Sequence, residues 1–330
     1  MKSPRPATAQ RPSRRRPVTR AANSRAASGG ASGANRGIHD LSTEQTINGP
    51  ASLDALDSRG IVERIHAQDS TVAKAVGNEL GQIARAVDAA ARALRRGGRL
   101  IYVGAGTSGR LSVLDAAECP PTFGISPSVI QAVIAGGERA LLHAAEAAED
   151  DAAQGARDLA AKKVGPRDVV VGLSASGRTP YTIGALRYAR SRRAATVAIA
   201  CNPGSPLERV ARIGIIPLTG PEILSGSTRM KAGLAQKMIL QMISTATMTR
   251  LGHVYRNYMV GVRPTNEKLV ARACRIIAEI SGASLQQSRA ALQAAGNDVR
   301  TAIVMIRKNI ARPAAARLLK KHAGDLRKIL

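Results

Sequence analysis

A chain of 330 residues with 44% hydrophobic side chains can bury a sizeable core, but Trp is absent and Phe123 is the only Phe, so Ala, Val, Ile and Leu must fill it. That scarcity excludes the aromatic platforms that stack RNA or single-stranded DNA. Three scattered cysteines, Cys119, Cys201 and Cys274, exclude a disulfide framework and fit a reducing cytoplasm. The net charge of +26 suggests a polyanion partner until it is divided along the chain. Residues 1–39 carry nine Lys/Arg and no acid, residues 250–330 sixteen against four, and the middle is close to balance. The charge is therefore read as a solubilising surface, with no specific nucleic-acid partner. No apolar run approaches the roughly 20 residues of a membrane span.

Residues 1–39, rich in Arg, Ser, Pro, Ala and Gly, lack apolar periodicity and are expected to form a disordered basic tail. They contain no apolar stretch of the secretory type, although their acid-free makeup overlaps with transit peptides. From residue 40 to about 265 the pattern is globular. Ser70–Gly98 reads as one long amphipathic helix with a Gly-Gly stop. Five short β-branched runs follow: "RLIYVG", "SVIQAVIAG", "DVVVGLS", "AATVAIACN" and "IGIIPL". Helical stretches separate the first four, the rhythm of an α/β, doubly wound parallel sheet of five strands. The fifth leads into an apolar helix beginning near "STRMKAGLAQK". Residues 266–330 are helical, with two short helices joined at Gly296–Asn297 and a basic third behind.

Two strand-to-helix turns carry the chemistry. In "LIYVGAGTSGRLSVL" the glycines Gly104, Gly106 and Gly109 match the dinucleotide fingerprint, with Glu138 as the acid such a site would want. Thr107 and Ser108, however, put hydroxyls at the helix start, where a phosphate ester would use them. The second turn, "SASGRTPYT", repeats the theme with Ser174, Ser176 and Thr179. In a parallel sheet both turns lie at the carboxyl edge, and helix N-termini offer amides and partial positive charge to an anion. Two hydroxyl turns in one sheet favour a phosphosugar. No P-loop motif is present. His143 and Glu146 sit three apart, but no second cluster completes a metal shell.

Together "GAGTSGRLSVLDAAECPPTFG", "SASGRTPYT", "CNPGSP", "SGSTRMKAGLAQK" and "PTNEKL" closely resemble the N-acetylmuramic acid 6-phosphate etherase family of the sugar isomerase (SIS) superfamily. Single motifs are shared with the glucokinase regulatory protein. The resemblance runs from about Leu41 to the C-terminus. It implies a flavodoxin-like SIS domain with a UBA-like C-terminal module, a homodimer, no metal or organic cofactor, and a cytoplasmic role in cell-wall sugar recycling. It implies cleavage of the lactyl ether, with Glu118 of "AAECPP" as proton donor and Glu149 of "HAAEAAED" as the second catalytic residue.

Glu118 precedes Pro120–Pro121, which bar helix continuation and suggest a rigid loop, with apolar neighbours that would desolvate its carboxyl. Glu149 lies among Glu146, Asp150 and Asp151, a run that also fits a solvated helix face. "EILSGSTRMKAG" opens another helix whose amides are expected to be free. There Ser225, Ser227 and Thr228 are candidates for the N-acetyl or ring hydroxyls, and Arg229 or Lys231 for the lactyl carboxylate. The family pattern is broken at Gly261, where an Asp is usual. Two alternatives share the phosphate site: an aldose–ketose isomerase, which leaves "AAECPP" unexplained, and a sugar-phosphate-sensing regulator.

Overall fold

All five β-branched runs become strands: β1 (Leu100–Gly104), β2 (Ile130–Ile134), β3 (Val169–Leu173), β4 (Ala195–Ile199) and β5 (Ile213–Ile215). They form one parallel sheet in the order β2-β1-β3-β4-β5. The computed structural model describes residues 40–47 and 52–330; the expectation for the basic tail lies outside the described residues. The order of the strands reverses between β1 and β3, so the turns leaving these two flank the crevice where such sheets bind ligands.

Helices cover both faces. α1 (Ser58–Asp69), α2 (Val72–Gly77) and α3 (Leu80–Arg95) precede β1, and α4 (Gly106–Phe123) joins it to β2. α5 (Arg139–Leu142) and α6 (Ala152–Ala161) lead to β3, then come α7 (Pro180–Ser191), α8 (Pro206–Val210) and, after β5, α9 (Lys231–Arg250). Side-chain alternation sorts the core: Leu100 and Tyr102 pack with α3, α4 and α9, whereas Ile101 and Val103 pack with α6, α7 and α8. The single helix expected over Ser70–Gly98 is broken at Asn78–Glu79. Both pieces bury their own apolar residues, Val72 and Val76 in one and Ile83 and Val87 in the other, and Gly77–Asn78 offer little helix propensity to resist the break.

A hairpin of β6 (Val254–Tyr255) and β7 (Tyr258–Met259) precedes α10 (Glu267–Ser281), α11 (Leu285–Ala294), α12 (Val299–Lys308) and α13 (Arg312–Lys321). The α11–α12 joint lies at Gly296–Asn297, both with positive φ, as expected. These helices enclose their own cluster around Ile277 and Ile303. The end of α4 meets this region closely: a Cβ on Gly261 would overlap the Phe123 carbonyl, which also lies 2.7 Å from His253 Nδ1. Among the described residues no helix is long and apolar enough to cross a membrane.

Candidate active site

The first turn is shaped by close approach. A Cβ on Gly109 would press on the Gly104 carbonyl and the Ile134 side chain, and Gly106 has φ of 51°. Glycine at these positions lets α4 begin directly on the end of β1 and brings its first amides, with Thr107 and buried Ser108, to the carboxyl edge.

The second turn leaves β3 at the same level, since Gly104 pairs with Leu173. Ser174 Oγ lies 2.8 Å from Thr179 Oγ1 and 3.3 Å from Ser176 Oγ, so three hydroxyls converge where α7 starts. Ser174 Oγ also accepts the Gly177 amide at 3.0 Å, and Ser176 Oγ accepts the Arg178 amide at 3.1 Å. Gly177 has φ of 70°, and a Cβ there would strike Ser205. Behind the turn, buried Asn202 donates to the Ala175 carbonyl at 3.2 Å and to Thr43 Oγ1 at 3.1 Å. Its Oδ1 accepts from both the amide and the hydroxyl of Ser42 at 2.9 Å. Residues 41–44 are thereby stitched onto the sheet edge. Sequence reading passes over them because their partner lies some 160 positions away.

The third loop corrects an expectation. The amides of Lys231 and Ala232 at the start of α9 are not free: the two carboxylate oxygens of fully buried Glu222 accept them, each at 2.9 Å. The buried carboxylate supplies the negative charge that a helix N-terminus favours, leaving no place there for a ligand anion. Lys231 is 3% exposed and its ammonium donates to Gln68 at 2.9 Å, and burial pushes its pKa below the ordinary lysine value against the charges of Glu222 and Asp69. Ser225 donates to the Glu44 carbonyl at 3.1 Å, Ser227 and Thr228 are half-buried, and Arg229 is exposed. Gly233 faces the Thr107 methyl, so this loop adjoins the first turn.

Glu149 belongs to a short 3-10 turn, Glu146–Glu149, rather than a continuous helix. Arg110 of α4 ties the preceding segment to the sheet edge through the carbonyls of Leu141 and His143. Glu149 is itself exposed, yet its carboxyl has a raised pKa, first through partial desolvation and then through the negative charges of Asp150 and Glu146. His143 and Glu146 are exposed, and among the described residues no group of three His, Cys, Asp or Glu is arranged to hold a metal ion.

Glu118 requires the second correction. It is not in a loop: α4 continues through Pro120 and Pro121 to Phe123 and ends at Gly124 in the left-handed conformation. The prolines remove two amide donors only one turn before the end, and Cys119 and Phe123 bury their side chains from that turn, offsetting the loss. Glu118 is exposed in the single chain, so the apolar desolvation expected for it is not supplied there. It is also ten residues beyond Ser108, roughly 15 Å along the helix axis. It lines a cavity of about 420 Å³ between α4 and α9 with Asp115, Cys119, Lys237 and Ser244.

The chain matches the glucokinase regulatory protein N-terminal SIS domain over residues 82–190 and the SIS domain over residues 146–246. The N-acetylmuramic acid 6-phosphate etherase of Pectobacterium atrosepticum is 51% identical over 298 residues, covering 90% of this chain and 98% of its own. That of Erwinia tasmaniensis is 53% identical over 278 residues, covering 84% and 91%. A solved phosphoheptose isomerase from Neisseria gonorrhoeae is 16% identical with a TM-score of 0.44, over 58% of this chain and 100% of that one. By its identity to these etherases over nearly their whole length, the chain belongs to the N-acetylmuramic acid 6-phosphate etherase family.

Proposed function

We infer that the chain cleaves the D-lactyl ether of N-acetylmuramic acid 6-phosphate, giving N-acetylglucosamine 6-phosphate and D-lactate. The observation that carries this reading is the convergence of Ser174, Ser176 and Thr179 beside the N-terminus of α4, in a chain so similar to the etherases. The isomerase and sensor alternatives are not favoured by those relatives.

In the open sugar the C1 aldehyde acidifies the C2 proton. A base removes that proton, the C2–C3 double bond forms, and the C3–O bond breaks. The departing lactate takes a proton from an acid. Water then adds its hydroxyl to C3, and C2 regains a proton. The aldehyde is the electron sink, so this sequence calls for neither a metal nor an organic cofactor. Thr107, Ser108, Ser174, Ser176 and Thr179 hold the phosphate. Glu149, at the same sheet edge and with its raised pKa, serves as base, and Glu118 as proton donor.

The Ser108–Glu118 separation along α4 exceeds what one bound sugar spans, and a second copy of the chain resolves it. Beside Glu118, α4 and α9 expose Leu114 and present Met238, Met242 and Ala246 along one face. A homodimer packed on this face would desolvate Glu118 and carry it to the partner's phosphate site. The division into a catalytic part, residues 40–265, and a helical module, residues 266–330, belongs to the same reading. So does a cytoplasmic setting, where buried Cys119, Cys201 and Cys274 stay unpaired. The test is direct: incubated with N-acetylmuramic acid 6-phosphate, the protein releases D-lactate, and absence of lactate from folded protein refutes the assignment.

A further inference from the structure

We propose that Lys237 binds the carboxylate of the lactyl group in the cavity that holds Glu118, and so selects substrates whose lactyl acid is free. The proposal rests on the reading of Glu118 as donor to the departing oxygen. In a lactyl ether one carbon separates that oxygen from the carboxylate. Whatever space lets Glu118 reach the oxygen must therefore also receive an anion, and an anion leaving water needs a countercharge.

The cavity between α4 and α9 supplies one. Lys237 is the sole cation among its lining residues, and it makes no ion pair within 4 Å among the described residues. It is half-buried, two turns into α9, on the face turned toward α4. The obvious internal partner is already occupied: Asp115, one turn before Glu118, accepts from Tyr102 at 2.9 Å and from Ser244 at 3.1 Å, one bond on each oxygen. Asp115 therefore holds the ammonium in the cavity by charge while its hydrogen-bonding oxygens are engaged below. Leu111, Leu114 and Phe123 give the lactyl methyl an apolar wall. The two cations that the sequence points to are placed less well. The Lys231 ammonium is bonded to Gln68, and Arg229 is exposed just ahead of α9 and does not line this cavity.

The test compares N-acetylmuramic acid 6-phosphate with its lactamide analogue, in which a neutral amide replaces the carboxylate. The wild-type protein should prefer the acid, and equal use of both would also overturn the proposal. Lys237→Met should lower kcat/KM for the acid by roughly 10- to 100-fold while changing the amide little, so that the preference collapses. Lys237→Arg should retain it. Solvent deuterium exchange at C2 of N-acetylglucosamine 6-phosphate, which has no lactyl group, should fall far less than lactate release in Lys237→Met. Retention of the wild-type preference by Lys237→Met, or equal losses on acid, amide and exchange, would overturn the proposal. Glu118→Gln measured alongside separates the two ideas: full turnover in that variant removes Glu118 as donor, whereas a collapsed preference in Lys237→Met still identifies the carboxylate subsite.

Discussion

Ser174 and Thr179 share a hydrogen bond of 2.8 Å across the turn between β3 and α7. One hydroxyl donates to the other, and a phosphate bound as proposed would replace that neutral bond with charge-assisted ones. Ser174→Ala and Ser176→Ala should each weaken binding of N-acetylglucosamine 6-phosphate by about 1–3 kcal/mol. Titration calorimetry of the single and double variants measures this, and wild-type affinity in the double variant would remove the turn from the phosphate site.

Glu149 and Asp150 make a pH prediction. A base must be ionised, so activity falls as pH drops through its pKa. Glu149 sits above the ordinary glutamate value of about 4.3 because of partial desolvation, Asp150 and Glu146. Asp150→Asn removes one of the charges that raise it, so the acidic limb of kcat/KM should move to lower pH. A limb that stays in place, or moves up, assigns it to another group.

Much of this was legible in the sequence because it is local. Short apolar β-branched runs and small-residue turns define the strands, the two hydroxyl turns and the α11–α12 joint without reference to distant residues. What was not legible depends on long-range packing. Pro120 and Pro121 argue for a loop at Glu118, yet burial of Cys119 and Phe123 holds the last turn of α4. Glu222 precedes a serine-rich loop with no sign that it caps α9. Lys237 lies inside a recognisable motif, but only the packing of α9 on α4 brings it to the cavity of Glu118.

Gly261 gives a stability prediction. Its backbone lies against the Phe123 carbonyl, and its own amide donates to the His253 carbonyl at 3.2 Å. An Asp would drive its Cβ into that carbonyl and bring a carboxyl beside its oxygen. Gly261→Asp should therefore destabilise this protein by about 1–3 kcal/mol, seen as a lower Tm. An unchanged Tm would mean that the end of α4 yields readily. Since that end carries Glu118, lactate release should fall with stability.

The separation of Glu118 from the phosphate turns yields the last prediction. By itself, Glu118→Gln should lose turnover by roughly 10²–10⁴-fold, because the amide cannot supply the proton lactate needs. It should still exchange the C2 hydrogen of N-acetylglucosamine 6-phosphate, a step that uses the other carboxyl. The Ser174→Ala/Ser176→Ala variant should fail for a different reason, having lost the phosphate. If Glu118 serves the partner's site, mixing the two after dissociation creates heterodimers with one site doubly damaged and one site whole. At substrate concentrations well below the raised KM of the serine variant, an equimolar mixture should recover about a quarter of wild-type lactate release. If Glu118 serves its own chain, every site in the mixture carries one defect and no activity returns. Recovery thus depends on which chain's phosphate turn Glu118 faces, a relationship that neither variant reveals by itself.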